Sequence, residues 1–144
     1  MIGYRQITMD DPRYQQEREL RNRILLRPIG IADFGWETRD PSSLHFIAEE
    51  GVRVIACVVL WPNPETSKSA QLTQMAVTDE LQGKGVGKGL VNYLIAVATK
   101  NGIREITCHA RANVVGFYEK LGFEVYGEPF VEAGIAHRHM KKLV

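Results

Sequence analysis

Apolar and polar residues alternate in short runs along most of this chain, and longer stretches repeat their apolar positions with a helical period. Alternating or continuous apolar runs predict seven strands, over residues 1–8, 44–49, 52–60, 71–77, 103–110, 123–126 and 136–140. Helical spacing predicts three helices, over residues 12–26, 86–101 and 114–121. Strands and helices mixed in this way predict one layered α/β structure.

The run over residues 52–60 is almost entirely apolar, and Glu50-Gly51 joins it to the preceding strand as an antiparallel hairpin. A strand that is apolar on both faces is normally covered on both sides. We therefore expect this strand in the interior of the sheet.

The first helix has few apolar positions, which form one narrow stripe, so we expect it on the surface. It also carries five arginines: Arg13, Arg18, Arg21, Arg23 and Arg27. These form either a solvated face paired with Glu17 and Glu19 or a surface that recognises an acidic substrate.

Length and charge narrow the class of protein. With 144 residues the chain is expected to form one domain, residues 1–144, and its net charge of +1 argues against nucleic acid or membrane as partners. Cys57 and Cys108 lie within apolar strands, which is typical of reduced, buried cysteines. No apolar run approaches a membrane span and the N-terminus lacks a signal-peptide pattern, so a cytoplasmic location is expected.

Residues 82–89 hold four glycines and two lysines between a predicted strand and a predicted helix. Glycines allow positive φ and close approach of a ligand, and the first turn of a helix presents unpaired N–H groups. The stretch therefore predicts a site for an anion, phosphate above all, with a ligand-free structural turn as the alternative.

Two nucleotide-binding motifs do not fit this stretch. The P-loop requires a hydroxyl residue after Gly-Lys, but glycines follow both Gly83-Lys84 and Gly87-Lys88. The dinucleotide motif requires a third glycine where Lys88 stands in one frame and Leu90 in the other.

The pattern Gln82-x-x-Gly85-x-Gly87 resembles the pyrophosphate-binding motif of the GNAT superfamily of acyl-CoA-dependent N-acetyltransferases. A second block, running from Asn113 through Phe117-Tyr118 to Gly122-Phe123, is similar to another segment of that family. Two blocks in the right order are far more specific than one glycine turn. The resemblance is clear over residues 72–123 and looser in the hairpin and the C-terminal strands.

The resemblance implies a mixed, mostly antiparallel sheet of six to seven strands with helices on both faces. It also implies that the strand at 71–77 carries a bulge and splays from its neighbour, and that acetyl-CoA is the acyl donor. The glycine turn would bind the pyrophosphate, and an N–H group of Met75 or Val77 would stabilise the thioester oxygen. Lys84 and Lys88 either attract phosphate or are solvated. The predicted CoA-binding residues are Met75, Ala76, Val77, Gln82, Gly83, Lys84, Gly85, Val86, Gly87, Lys88, Asn113 and Tyr118.

Tyr118 is, by this resemblance, the general acid that protonates the departing CoA thiolate. A thiol pKa of ~8.5 and a phenol pKa of ~10 are close enough for that transfer. Its alternative role is packing beside Phe117. Asn113 would act as a helix N-cap, to which the resemblance adds a contact with the pantetheine arm.

The group that removes a proton from the acceptor amine stays open. In the histone-modifying branch of the family a glutamate begins the strand before the glycine turn, but Gln71 holds that position here and cannot be a base. The remaining candidates are Glu37, Asp40, Glu49, His109 and His137.

The C-terminal segment from Glu132 to Met140 is similar to the Glu-x-Gly-Ile-x-His-x-x-Met ending of some small bacterial members of the family. It makes His137 a tentative substrate-side residue or base. His137 and His139 share a strand face, but no third ligand follows at metal-like spacing, so no metal is expected.

The resulting hypothesis is an N-acetyltransferase that moves an acetyl group from acetyl-CoA to a primary amine of a small molecule or peptide. The amine would attack directly in a ternary complex, and the family resemblance implies a homodimer as one assembly. The rival hypothesis is an acyl-CoA-binding sensor or regulatory protein without turnover, which the Gln71 departure favours.

Overall fold

The computed structural model describes residues 1–31, 35 and 37–144 of the chain. Its strands are β1 (Ile2–Ile7), β2 (Leu44–Glu50), β3 (Arg53–Pro62), β4 (Ser69–Val77), β5 (Glu105–Arg111), β6 (Glu124–Glu132) and β7 (Ile135–Leu143). Its α-helices are α1 (Arg13–Arg21), α2 (Val86–Lys100) and α3 (Val115–Lys120). No helix in the described ranges has the length and apolarity needed to cross a bilayer.

The strands form one seven-stranded sheet in the order β1-β2-β3-β4-β5-β7-β6. Every neighbouring pair is antiparallel except β4 and β5, which are parallel. This confirms the mixed, mostly antiparallel sheet, and the apolar strand β3 lies in its interior as predicted.

Two apolar clusters lie on opposite faces of the sheet, which confirms helices on both faces. The larger cluster joins the sheet to α2 and α3, with Leu90 and Leu94 completely buried. The smaller cluster packs Leu20 of α1 on the other face. Consecutive residues Phe46 and Ile47 belong to different clusters, because side chains alternate along a strand.

The last two strands are longer than predicted. Glu128 and Pro129 were expected to separate them, but both residues lie within β6, where the register with β7 shifts between Tyr126 and Phe130. A proline or glycine in an edge strand is accommodated by such an irregularity, so it bends the strand without ending it.

The helix that begins at α1 stays helical to residue 26, as predicted, through a π-helical turn at Asn22–Leu26. It ends after a short 3-10 turn, at Gly30 with φ of 77°. Part of the polar loop that follows, residues 32–34 and 36, lies outside the described residues.

The prediction of a solvated arginine face is wrong for Arg21, the last residue of α1, which is buried, although its predicted pairing with Glu17 is found. Arg21 donates from Nη1 to Glu17 Oε2 and to Asp40 Oδ2, both at 2.8 Å, and all three side chains are at most 3% exposed. His45 Nδ1 lies 2.8 Å from Glu17 Oε2, and Tyr14 donates its hydroxyl to Asp40. Charges this deeply buried are stable only when they are paired, so the cluster ties α1 to β2.

Glu17, Asp40 and His45 also bring their ligand atoms within 4.8 Å of one another, which is close enough to hold a metal ion. The guanidinium of Arg21 lies between the two carboxylates and supplies a positive charge there. The other arginines of this segment make surface or partly buried contacts: Arg13 with Asp11 and Glu49, Arg18 with Glu37, Arg23 with Thr78, and Arg27 with Glu19.

Cys57 and Cys108 are free and buried, as predicted, and lie on opposite faces of the sheet. Burial raises the pKa of both thiols, that of Cys108 to about 12. Neither is a thiolate at neutral pH, so neither is suited to a covalent acyl relay.

Candidate active site

A cleft of about 950 Å³ opens where β4 and β5 diverge. The two strands pair only over residues 69–72 and 105–108. Beyond Leu72, β4 remains paired with β3 while its other edge lines the cleft. The splay that the family resemblance implied is therefore confirmed, and it leaves a backbone edge with which an extended ligand can pair.

The implied bulge in β4 is also confirmed. The register between β3 and β4 shifts between Cys57 and Val59, where Gln74 and Met75 together oppose Val58. Gln74 has a φ of 55°, which is uncommon for a residue with a side chain. Strained backbone of this kind persists only where the surroundings hold it, and here it lines the cleft.

The glycine turn lies at one end of the cleft and leads into α2. Gly83 and Gly85 have φ of 77° and 86°, which glycine adopts without steric cost. The N–H groups of residues 83–88 find no acceptor among the described residues, and the first bond back along the helix runs from Gly89 N–H to Gly85 at 3.0 Å. This row of free donors at a helix start suits a phosphate group.

Side-chain contacts hold the turn against β4. Gln82 donates from Nε2 to the carbonyl of Val77 at 2.9 Å. A Cβ on Gly87 would lie 2.8 Å from Cε of Met75, so the absence of a side chain lets the helix start approach the strand. Two of the predicted CoA-binding residues do not line the cleft: Lys84 is exposed, and the Val86 side chain is buried in the core.

Tyr118 lies on α3 and lines the cleft. Its ring is buried between Phe117 and Phe123, at centroid distances of 5.0 and 5.5 Å. Burial raises the pKa of its hydroxyl, so the phenol stays protonated at neutral pH. The Tyr118 ring therefore packs between two aromatic residues, as the alternative role predicted, and the residue also lines the cleft.

The expectation that Asn113 caps a helix is wrong. Asn113 lies within the 3-10 turn Ala112–Val114, and Val114, which precedes α3, makes no side-chain capping bond. Because Val114 is the residue that directly precedes α3, the Asn113 amide does not lie at the N-cap position of that helix. It lines the cleft instead.

Another part of the cleft lining, which we call the histidine wall, consists of His109, His137 and Glu132. His109 lies on β5 and His137 on β7. Glu132 reaches both rings, with Oε1 at 3.0 Å from His109 Nδ1 and Oε2 at 3.8 Å from His137 Nε2. Cys108 and Ala110 belong to the cluster under α2, so alternation puts His109 on the α1 face of the sheet.

The tautomer of neutral His137 is set by a backbone bond. Nδ1 lies 2.7 Å from the carbonyl oxygen of Ile135, which can only accept a hydrogen bond. Nδ1 therefore carries the proton, and the lone pair is on Nε2, the nitrogen nearer Glu132. This is the arrangement of a group that can accept a proton within the cleft.

The other base candidates lie outside the main cleft. Glu37 and Asp40 line a smaller cavity of about 200 Å³, and each accepts hydrogen bonds from an arginine of α1. Glu49 pairs with Arg5 at the β1–β2 edge. Gln71 does line the cleft, in the position where some family members carry glutamate.

Glu132 was not among the predicted site residues, although a signal for it exists. Ala133 and Gly134 have φ of 53° and 74°, which makes a two-residue hairpin turn. That turn pairs Glu132 with Ile135 and so brings the carboxylate beside His137.

Two arginines that line the cleft were also missed. Arg111 pairs directly with His137 across β5 and β7 and donates from Nη2 to the carbonyl of Leu25 at 3.1 Å. The guanidinium of Arg39 lies 3.8 Å above the ring of Trp61. The position of Arg111 depends on the register between β5 and β7, and that of Arg39 depends on a loop that packs on β3. Neither contact produces a local pattern in the sequence. None of the five arginines of the first helical segment lines this cleft.

A family model described as an acetyltransferase (GNAT) domain matches residues 13–144. Among curated relatives, a putative acetyltransferase of Bacillus subtilis is 31% identical over 74 residues, which are 51% of this chain and 50% of that protein. The chain thus spans about half the length of the curated relatives it matches.

Solved structures match along nearly the whole chain. The crystal structure of Escherichia coli ElaA is 17% identical, covers 99% of both chains and has a TM-score of 0.86. An aminoglycoside 6'-N-acetyltransferase complexed with coenzyme A is 17% identical, with 98% of this chain and 96% of that chain covered and a TM-score of 0.82. At such low identity these matches show the fold.

Proposed function

The chain belongs to the GNAT acetyltransferase family, and on this premise we propose that it transfers an acetyl group from acetyl-CoA to a primary amine of a small molecule or peptide. The observation that carries the proposal is the continuity of one cleft from the free N–H groups of the glycine turn, past the splayed edge of β4, to Tyr118 and His137. One cleft holds donors for a phosphate, an edge for an extended arm and a proton donor and acceptor.

The donor half of the reaction uses the turn and β4. The pyrophosphate of CoA would accept hydrogen bonds from the backbone N–H groups of residues 83–88, and the pantetheine arm would pair with the free edge of β4. Asn113 would contact that arm. A backbone N–H at Met75 or Val77, next to the bulge, would stabilise negative charge on the thioester oxygen.

The acceptor half uses the histidine wall. An ammonium must lose a proton before it can attack, and Nε2 of His137 has the lone pair to take it. The N–H electron pair stays on the amine, which attacks the thioester carbonyl. The C–S bond then breaks, and Tyr118 protonates the thiolate and regains its proton from the amide nitrogen. The sum is ammonium plus acetyl-CoA giving amide, CoA and one proton.

The decisive experiment measures CoA binding by calorimetry and CoA release from acetyl-CoA with a panel of primary amines. We expect CoA to bind and at least one class of amine to be acetylated, with the amide identified by mass spectrometry. Binding of CoA without turnover across the panel would contradict the enzyme proposal. That outcome would favour the acyl-CoA sensor, for which Gln71 in place of a glutamate is the supporting observation.

The same proposal assigns residues 1–144 to one acetyltransferase domain that works in the cytoplasm. Two free, buried cysteines suit a reducing compartment. The reaction as written uses side chains and backbone alone, without a metal, and a homodimer is compatible with it.

A further inference from the structure

The cleft is lined by two guanidinium groups that have no carboxylate partner among the described residues, those of Arg39 and Arg111. The arginines of the first helix that carry a carboxylate partner lie outside the cleft. A cleft that keeps its cationic side chains unpaired suits a ligand that brings its own negative charge.

Arg111 is held in place without being neutralised. One of its five N–H donors goes to the carbonyl of Leu25 at 3.1 Å, and a carbonyl carries no net charge. The residue is partly exposed to the cleft. The remaining donors keep the planar geometry that binds a carboxylate or phosphate with two parallel hydrogen bonds.

Arg111 is also next to the proton acceptor. It pairs directly with His137 across β5 and β7, so the two side chains are on the same face of the sheet. Glu132 Oε2 lies 3.8 Å from Nε2 of His137, and Glu132 Oε1 lies 3.0 Å from Nδ1 of His109, two residues before Arg111 on β5. An amine held at His137 and Glu132 would therefore have a guanidinium beside it.

Arg39 supplies a second positive charge to the lining of the same cleft. Its guanidinium stacks on Trp61 of β3, which pairs with Gln71 of β4. Stacking uses the face of the guanidinium and leaves its edge donors available. The cleft that contains His109 and His137 is thus lined by two guanidinium groups.

We propose that the acceptor is a primary amine that also carries an anionic group, a carboxylate or a phosphate. Arg111 binds the anion, Arg39 adds to the attraction, and His137 with Glu132 receives the ammonium. The inference rests on the proposed acetyl transfer for its biological meaning, but the anion subsite is a binding property that exists without turnover.

The test uses matched amines that differ only in the anion: amino acids against their carboxamides, and O-phosphoethanolamine against ethanolamine. Binding to the CoA-saturated wild-type protein is measured by calorimetry, and turnover by CoA release. We expect the anionic member of at least one pair to bind about 10 to 100 times more tightly, the range for hydrogen bonds between charged groups. The two pairs distinguish carboxylate from phosphate.

Arg111→Gln should abolish this preference by weakening the anionic member alone, with CoA affinity retained. Arg104→Gln removes a charge just before β5, outside the cleft, and should leave the preference intact. If Arg111→Gln does not fold, Arg39→Gln takes its place, because that exposed side chain stacks on the surface and should be removed without loss of structure.

Equal binding of the two members of every pair would overturn the inference, and so would an equal loss of both members in Arg111→Gln. Selective turnover of amines that lack an anionic group would overturn the inference but would not contradict the acetyltransferase proposal. Tight, arginine-dependent binding of anionic amines without any turnover would support the subsite and contradict the enzyme.

Discussion

The guanidinium of Arg21 lies 2.8 Å from the carboxylate of Asp40, and both side chains are almost completely buried. The bond joins α1 to the turn that precedes β2. Both residues line a small cavity together with Thr73 and Gln74, which also line the main cleft. A buried ion pair therefore lies against the strained bulge of β4.

Removing the Asp40 carboxylate should destabilise the fold strongly, because the buried Arg21 guanidinium then keeps only one of its two carboxylate partners, that of Glu17. For Asp40→Ala we expect a loss of about 3 to 5 kcal/mol in the free energy of unfolding, measured in urea. Glu80→Gln, which breaks an exposed pair with Arg53, is the control and should shift the midpoint little. Similar losses in the two variants would contradict the structural role of the pair.

His45 should make the stability depend on pH near neutrality. Burial alone would lower the pKa of His45, but the hydrogen bond and charge of Glu17 outweigh it, and the pKa is raised above the ordinary 6.5. A raised pKa contributes stability that is complete below pH 6.5 and is lost as the pH rises through the folded value. Urea midpoints should fall over that window in the wild type and stay flat in His45→Gln. A urea midpoint that rises with pH over this range in the wild type would contradict the prediction that the pKa of His45 is raised by folding.

A methyl group in the glycine turn should impair CoA binding through the backbone. Gly85 has a φ of 86° with open space around it, so Gly85→Ala adds strain of about 1 to 2 kcal/mol without a clash. We expect calorimetry to show about tenfold weaker CoA binding. Gly116→Ala, where φ is not positive and no atom is within 4 Å, should bind CoA normally.

Tyr118→Phe should lower kcat by about 100-fold or more, the usual contribution of a general acid, while CoA affinity is retained. Burial keeps the phenol protonated by raising its pKa, so the wild-type acid is available across neutral pH. Tyr126→Phe alters an exposed tyrosine away from the cleft and serves as the control. Undiminished turnover in Tyr118→Phe would remove the acid role.

His137→Gln should lower kcat about 100-fold at neutral pH, because the variant has no nitrogen lone pair to accept the ammonium proton. His139→Gln is the matched control, since His139 lies on the same strand face, stacks on Phe130 at 4.2 Å and does not line the cleft. Equal rates for the two variants would contradict the role of His137 as the base, and His109 and Glu132 would then be the candidates for that role.

Local patterns were enough to predict most of the strands and helices and the position of the glycine turn between β4 and α2. The alternation of Phe46 and Ile47, the helical period of α2 and the glycine spacing are short-range features, and each acts on the backbone within a few residues. The expected bulge and splay of β4 came from the family resemblance. They depend on how β3 and β5 pair with β4.

Two of the predictions failed, one because a partner is far away in the chain and one because a helix boundary was misplaced by one residue. Arg21 reads as a surface residue until Asp40, nineteen positions later, is known to pair with it in the interior. Asn113 was expected to cap a helix that begins one residue too late for it. Neither the burial of Arg21 nor the position of Asn113 can be predicted from the amino-acid composition.

The sequence by itself determined most of the strands and helices and the glycine turn, because steric and hydrogen-bond preferences of neighbouring residues decide those elements. Only the tertiary structure decided which side chains share the cleft. Glu132 reaches His109 and His137, and Arg111 stands beside His137, because strand register brings together residues that lie far apart along the chain. Register is set by the packing of whole strands, and no single stretch of sequence encodes it.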